Sequence, residues 1–100
     1  MPNKQIFTFK IKPHVYFDLK EIWYYTQETW NTNQAKKYIL AIEKGIEKIK
    51  TDPNKGRKYN NLYFFIKVKH HYIFYRILLN HIEIDRILHE KMDIGNILND

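Results

Sequence analysis

Arg86 and His89 stand three residues apart near the C-terminus, with Lys91 and Asp93 just beyond. A guanidinium can hold a phosphate while a neighbouring imidazole moves a proton, so this spacing is compatible with phosphodiester cleavage. Lys58 and Arg76 would complete a ribonuclease set with them. The structural alternative is that Arg86 holds an acidic residue of a sheet and His89 hydrogen-bonds a strand end. It is favoured because the rest of a catalytic set is missing, and no catalytic residue is assigned. Arg76 has two readings of equal standing: a place in a basic, target-facing patch, or a salt bridge to Glu83 or Asp85 across a hairpin. Arg57 and Lys58 could touch phosphate, although solvated loop charge is commoner. Glu83 and Asp85 share one strand face. Without a cleft signal they are expected to face solvent rather than to form an acid–base pair.

Five histidines raise the question of a metal. His70 and His71 are adjacent on a strand, which turns their side chains to opposite faces. His14, His81 and His89 show no ligand spacing, so neither a metal nor another cofactor is expected. The chain has no cysteine, which removes thiol catalysis and disulfide stapling. Seventeen basic residues against eleven acidic ones give a net charge of +6, which suits an acidic partner. Only three of the seventeen are Arg, the better side chain for bidentate recognition, and this weakens a sequence-specific DNA reading. Any direct contact with nucleic acid is expected to be weak or made through a target complex. The N-terminus lacks the apolar core of a signal peptide, and no apolar run is long enough to span a bilayer, so a cytoplasmic protein without a membrane partner is expected.

One hundred residues are expected to make one domain, 1–100. Apolar residues are 44% and aromatics 16%, enough for a core that is nonetheless thin at this length. Gln5–Ile11 alternates as a first strand. Pro13 suits the first position of a helix, although Lys12 before it is a poor cap. Val15, Leu19, Ile22, Thr26 and Trp30 then form one stripe of an amphipathic helix. Asn31 and Gln34 make a passable capping box for a second helix. That helix carries Ala35, Tyr38, Ile39, Ile42, Ile46 and Ile49 on one face and Lys and Glu on the other. Gly45 inside it costs about 1 kcal/mol relative to Ala, which a close approach of another element would explain. Pro53 and Gly56 punctuate a loop. Leu62–Lys69, Tyr72–Leu79 and Ile82–Leu88 then alternate as three strands of an antiparallel meander, and one helical turn follows Asp93. The fold class expected is α+β: an N-terminal strand, a helical hairpin and a three-stranded meander, with the helices on one face of a small sheet.

Several segments of this order resemble the RelE/ParE superfamily of bacterial toxins, and more closely its ParE branch. Asp18-Leu19-Lys20-Glu21-Ile22-Trp23-Tyr24-Tyr25 resembles the first-helix segment of that family. Ala35 and Tyr38 match small and aromatic positions of its second helix. Asp52-Pro53 and Gly56-Arg57 resemble its loop. His71, Ile73-Phe74-Tyr75-Arg76 and Arg86-x-x-His89-x-x-x-Asp93 resemble its closing strands. Together they cover nearly the whole chain.

The ParE resemblance implies a toxin of a type II toxin–antitoxin system that binds and poisons DNA gyrase without being an enzyme. It implies Arg76, Arg86, His89, Lys91 and Asp93 as target-binding residues, all but Arg76 in a tail running from Arg86 to Asp100. Its partner would be a cognate antitoxin, ParD-like or other, whose disordered acidic segment folds on a basic, aromatic surface. Trp23, Tyr24, Trp30 and Tyr38 are the candidates for that surface, since Trp23, Tyr24, Tyr25 and Trp30 exceed what one helical stripe needs. A homodimer is compatible with the same reading. The RelE branch implies instead a ribosome-dependent endoribonuclease of mRNA. There Tyr72 stands where those enzymes commonly place an Arg, and a neutral phenol cannot stabilise a developing phosphate charge. A third alternative is an inactive homologue that only binds its antitoxin.

Overall fold

The structure is a computed structural model that describes residues 8–99. Of the expected first strand, Thr8–Ile11 forms β1, while Gln5, Ile6 and Phe7 lie outside the described residues, as does Asp100. Two helices follow, α1 (Pro13–Thr29) and α2 (Thr32–Thr51). After a single 3-10 turn at Pro53–Lys55 come the strands β2 (Arg57–Lys58), β3 (Phe64–Val68), β4 (His71–Leu78) and β5 (His81–His89). A short helix, α3 (Ile94–Leu98), closes the chain. The meander β3–β4–β5 was expected. Two further features were not: β2 adds an edge strand, and β1 returns to pair in parallel with β5, so the sheet runs β1-β5-β4-β3-β2.

Local chemistry accounts for the helical hairpin. Pro13 opens α1 with no side-chain cap from Lys12, and the Asn31 side chain accepts from the Gln34 amide at 2.8 Å to start α2. Val15, Asp18, Ile22 and Thr26 are the buried residues of α1, and the Thr26 hydroxyl donates to the Ile22 carbonyl at 2.7 Å. The expected stripe fails at Trp30, which is 72% exposed. Helix α1 ends at Thr29, and the backbone at Trp30 leaves the helical region, so the side chain loses the phase of the stripe. From α2, Ala35, Ile42, Gly45, Ile46 and Ile49 face inward. A Cβ on Gly45 would lie 2.7 Å from Val68 and 2.9 Å from Ile73, so the glycine does mark a close helix–sheet approach.

The sheet is covered on both sides. On the helix side Ile73, Tyr75, Ile82, Ile84 and Ile87 join the hairpin in the main core. On the other side Phe74, Leu88 and Leu98 form a second cluster with Phe65, Tyr72, Ile94 and Ile97. A bulge in β5 serves both: Tyr75 opposes Ile84 and Phe74 opposes Arg86, so Asp85 is the extra residue. It shifts the phase so that Ile82, Ile84 and Ile87 all point to the hairpin.

The expectation that Glu83 and Asp85 face solvent is corrected by this arrangement. They are only 7% and 2% exposed. Strand β5 lies between β1 and β4, and its second face is covered rather than open to water. Lys12 Nζ approaches Glu83 at 3.9 Å and Asp85 at 3.7 Å, and the Asp85 carboxyl adds to burial in raising the pKa of the Tyr63 phenol. Burial pushes the Asp85 carboxyl up to about 6, helped by its hydrogen bond to Glu83. Burial works in the same direction on Glu83, but the bond to Asp85 and the charges of Lys12 and Arg76 hold its carboxyl below the usual range. Of the two, Asp85 is therefore the one that keeps its proton to the higher pH.

Candidate functional site

Arg86 is committed to the fold. Its Nε and Nη2 donate to the two carboxylate oxygens of Asp18, each at 3.0 Å, and the Ile87 amide donates to Asp18 Oδ2 at 2.9 Å. Beyond Ile84, β1 no longer runs beside β5, and the Asp18 carboxylate takes the place of a strand at that edge. Arg86 thus holds a helix residue, where the sequence suggested a sheet residue. Arg76 Nε lies 3.8 Å from Glu83 on the opposed residue of β5, as the hairpin reading had it.

Further along β5, two hollows of about 350 and 400 Å³ adjoin through Tyr25, His71 and His89. They make one groove between the tip of the helical hairpin and the ends of β4 and β5. Trp30, Gln34 and Tyr38 line one part, and Glu21, Lys91 and Met92 line the other. Tyr25 and Trp30 are 68% and 72% exposed, so the groove has open aromatic walls. Its floor is ordered by imidazoles. His71 Nδ1 lies 2.7 Å from the Tyr38 hydroxyl, and the His70 amide donates to that same oxygen at 3.1 Å. Burial, followed by the neighbouring His89 and His70, lowers the His71 pKa to about 4. A neutral His71 leaves Nδ1 free to accept from Tyr38, whose own pKa burial raises. His89 stacks edge-on against His71 with ring centres 5.0 Å apart, and its Nδ1 accepts from the Lys91 amide at 3.0 Å. His70 pairs with Glu90 at 2.7 Å. Hydrogen bonds from Lys67 and then His70 hold the Glu90 carboxyl down at about 2. Among the described residues, no three His, Asp or Glu side chains come together as metal ligands.

The structure therefore joins some of the suggested residues and separates others. Trp30 and Tyr38, read as antitoxin-facing, share the groove with His89 and Lys91, read as target-facing. Asp93 precedes α3 next door without a side-chain cap bond, and its carboxylate accepts from the Asn96 side chain at 2.6 Å. Trp23 is half-buried and Tyr24 is 52% exposed on α1, and neither lines the groove. The ribonuclease set does not converge. Lys58 on β2 is three strand spacings from β5, about 14 Å, and Arg86 is occupied by Asp18. Sequence reading missed Gln34, His70, His71 and Met92 as groove residues, and had Tyr25 only among the surplus aromatics of the first helix. The adjacent histidines were visible, but only the register of Val68 and His89 on His71 puts them under the hairpin tip.

A helical hairpin laid on one face of a sheet of this order defines an α+β fold. A solved structure described as the chromosomal ParDE TA system from P. aeruginosa shares it, with a TM-score of 0.76 over 86% of this chain and 98% of that one, at 15% identity. The family described as ParE toxin of type II toxin-antitoxin system, parDE, matches residues 9–94. Toxin ParE1 of Caulobacter vibrioides is 34% identical over 79 residues, covering 76% of this chain and 81% of the relative. Toxin ParE1 of Mycobacterium tuberculosis is 28% identical over 88 residues, covering 84% and 90%. The chain belongs to the ParE toxin family of type II toxin–antitoxin systems.

Proposed function

We propose that this ParE-family toxin acts by binding DNA gyrase in its DNA-cleaved state, and that a cognate antitoxin silences it by filling the groove at the hairpin tip. One observation carries the second half: Trp30 and Tyr38 line the same groove as His89 and Lys91. An amphipathic segment laid there buries the open aromatic walls and covers the target-facing residues in a single step. Its acidic character matches the +6 charge of the toxin. The gyrase half rests on family membership and on the failure of the ribonuclease set to converge. In this reading His89, Lys91 and Asp93 make the target contacts, while Arg76 and Arg86 hold the strands that present them.

The test is a supercoiling and cleavage assay with purified gyrase, ATP and plasmid. Linear DNA released by protease supports the gyrase reading, and its absence at micromolar toxin sinks it. Addition of antitoxin should suppress the linear product. Trp30→Ala should weaken that suppression while leaving the poisoning by free toxin intact.

A further inference from the structure

The face of the sheet away from the hairpin carries a second hollow that the groove does not explain. It measures about 580 Å³ and opens between β2, β3, β4 and the start of α3. Strand register builds it. Arg57 opposes Phe65, and Phe65 opposes Phe74, so one row across the sheet reads cation, ring, ring on a single face. The next row along pairs Lys67 with Tyr72. Tyr59, from the loop after β2, meets Phe65 and Phe74 edge-on at 6.4 and 5.3 Å, and Phe65 meets Tyr72 edge-on at 5.3 Å. Lys67 Nζ lies 5.5 Å from the Tyr72 ring centre. Lys55 completes the rim, and no carboxylate lines the hollow. Lys67 bonds Glu90 at 2.8 Å, whereas Lys55 and Arg57 enter no ion pair among the described residues. Lys58 points to the other face, since it opposes Phe64 of the main core.

We propose that this hollow binds an unpaired stretch of DNA. A base seats among Tyr59, Phe65 and Tyr72, and the flanking phosphates lie on Arg57, Lys55 and Lys67. Aromatic residues alone would not single the place out, because Phe74 and Leu98 already build a small core there. The cations beside the rings do: Arg57 at the end of one row, Lys67 at the end of the next, and Lys55 on the rim. Ring faces take bases of any kind, and the cations follow the backbone, which is the chemistry of single-strand recognition. A duplex keeps its bases stacked and offers nothing to the rings. A peptide adding to the sheet here would meet β2, an edge of only two residues, and would gain few backbone bonds. The choice of DNA rests on the gyrase reading, in which the target holds cleaved DNA; the site itself stands on the geometry.

The experiment is fluorescence anisotropy of the full chain with a labelled oligothymidylate, repeated across a salt series. Three phosphate contacts predict a log–log salt slope of about −2. The double variant Lys55→Ala/Arg57→Ala should weaken binding at least about tenfold and flatten the slope. Tyr59→Ala should weaken binding by about tenfold with the slope unchanged. Both the double variant and Tyr59→Ala are checked for cooperative thermal unfolding, and Tyr59→Leu replaces Tyr59→Ala if the latter is not folded. Equal binding of a duplex of the same length, with no effect at Tyr59, would reduce the site to unspecific charge and overturn the proposal. Tighter binding of the matching RNA would overturn the assignment to DNA, and displacement of the probe by an acidic peptide at lower concentration would overturn the nucleic-acid ligand itself. The two readings fail separately: gyrase poisoning by a chain that binds no oligonucleotide sinks this proposal alone, and oligonucleotide binding without poisoning sinks the gyrase reading alone.

Discussion

Asp18 is the residue on which the C-terminal half of β5 depends. One carboxylate satisfies a guanidinium twice and a backbone amide once. Arg86→Ala should cost about 3 kcal/mol or more in urea unfolding, since it strands a buried carboxylate. A change below about 1 kcal/mol would return Arg86 to the surface role that its type first suggested. The buried titrating groups work against each other. Asp85 has a folded pKa of about 6, above its ordinary 3.8, so its stabilising contribution is complete below 3.8 and is lost as pH rises through 6. Asp85→Asn should therefore raise the unfolding midpoint well above pH 6 and leave it little changed near pH 4. His71 is held at about 4 against an ordinary 6.5, so the unfolded chain takes up a proton that the folded one refuses. Stability should fall as pH drops from about 6.5 to about 4, most visibly in the Asp85→Asn background, where the opposing slope is gone. Adding His71→Gln should flatten that limb, and a limb that persists would place the proton elsewhere.

At the scale of elements, two glycines hold the layers together by absence. Gly56 has an ordinary backbone conformation, so its role is room. A Cβ there would collide with the Tyr75 hydroxyl, which donates to the Pro53 carbonyl at 2.6 Å. That bond pins the turn between α2 and β2 to the buried centre of β4, and so it fixes where Arg57 enters the sheet. Gly56→Ala should break it at a cost of about 2 kcal/mol or more, read as a lower Tm, and should disturb the Arg57 rim as well. Gly45→Ala is a milder case. Helix propensity favours Ala by about 1 kcal/mol, but Val68 and Ile73 must give way. The expected outcome is a lower Tm, and a rise would show that the helix–sheet contact is looser than its geometry.

For the whole molecule, the sheet carries a core on each side, the main one under the hairpin and a smaller one with α3. Tyr16, Phe17, Tyr24, Tyr25 and Trp30 on or just after α1 are all more than half exposed, a large aromatic surface for so small a protein. The free toxin should therefore be markedly less stable than its complex. An antitoxin at a hundred times its dissociation constant should add about 2.7 kcal/mol, visible as a concentration-dependent rise in Tm. A Tm indifferent to antitoxin would mean that the groove is not its seat. Among the described residues, no helix is long and apolar enough to cross a membrane.

The sequence by itself determined the elements and their order, the short strand β2 excepted, because periodicity, caps and breakers are local. Pro13, Asn31 and the alternation from Phe64 to Val68 each act over a few residues, and the family's segments lie along the same line. Tertiary structure alone decided which residues meet. Asp18 and Arg86 are 68 positions apart, and Tyr38 and His71 are 33 apart. It also decided that Glu83 and Asp85 are buried, because an alternating strand cannot announce whether its second face meets water or another layer. The bulge at Asp85, the parallel return of β1 and the cover supplied by α3 depend on strand pairing across the chain. Pairing is set by the sum of distant packing choices, and no short window of sequence contains that sum.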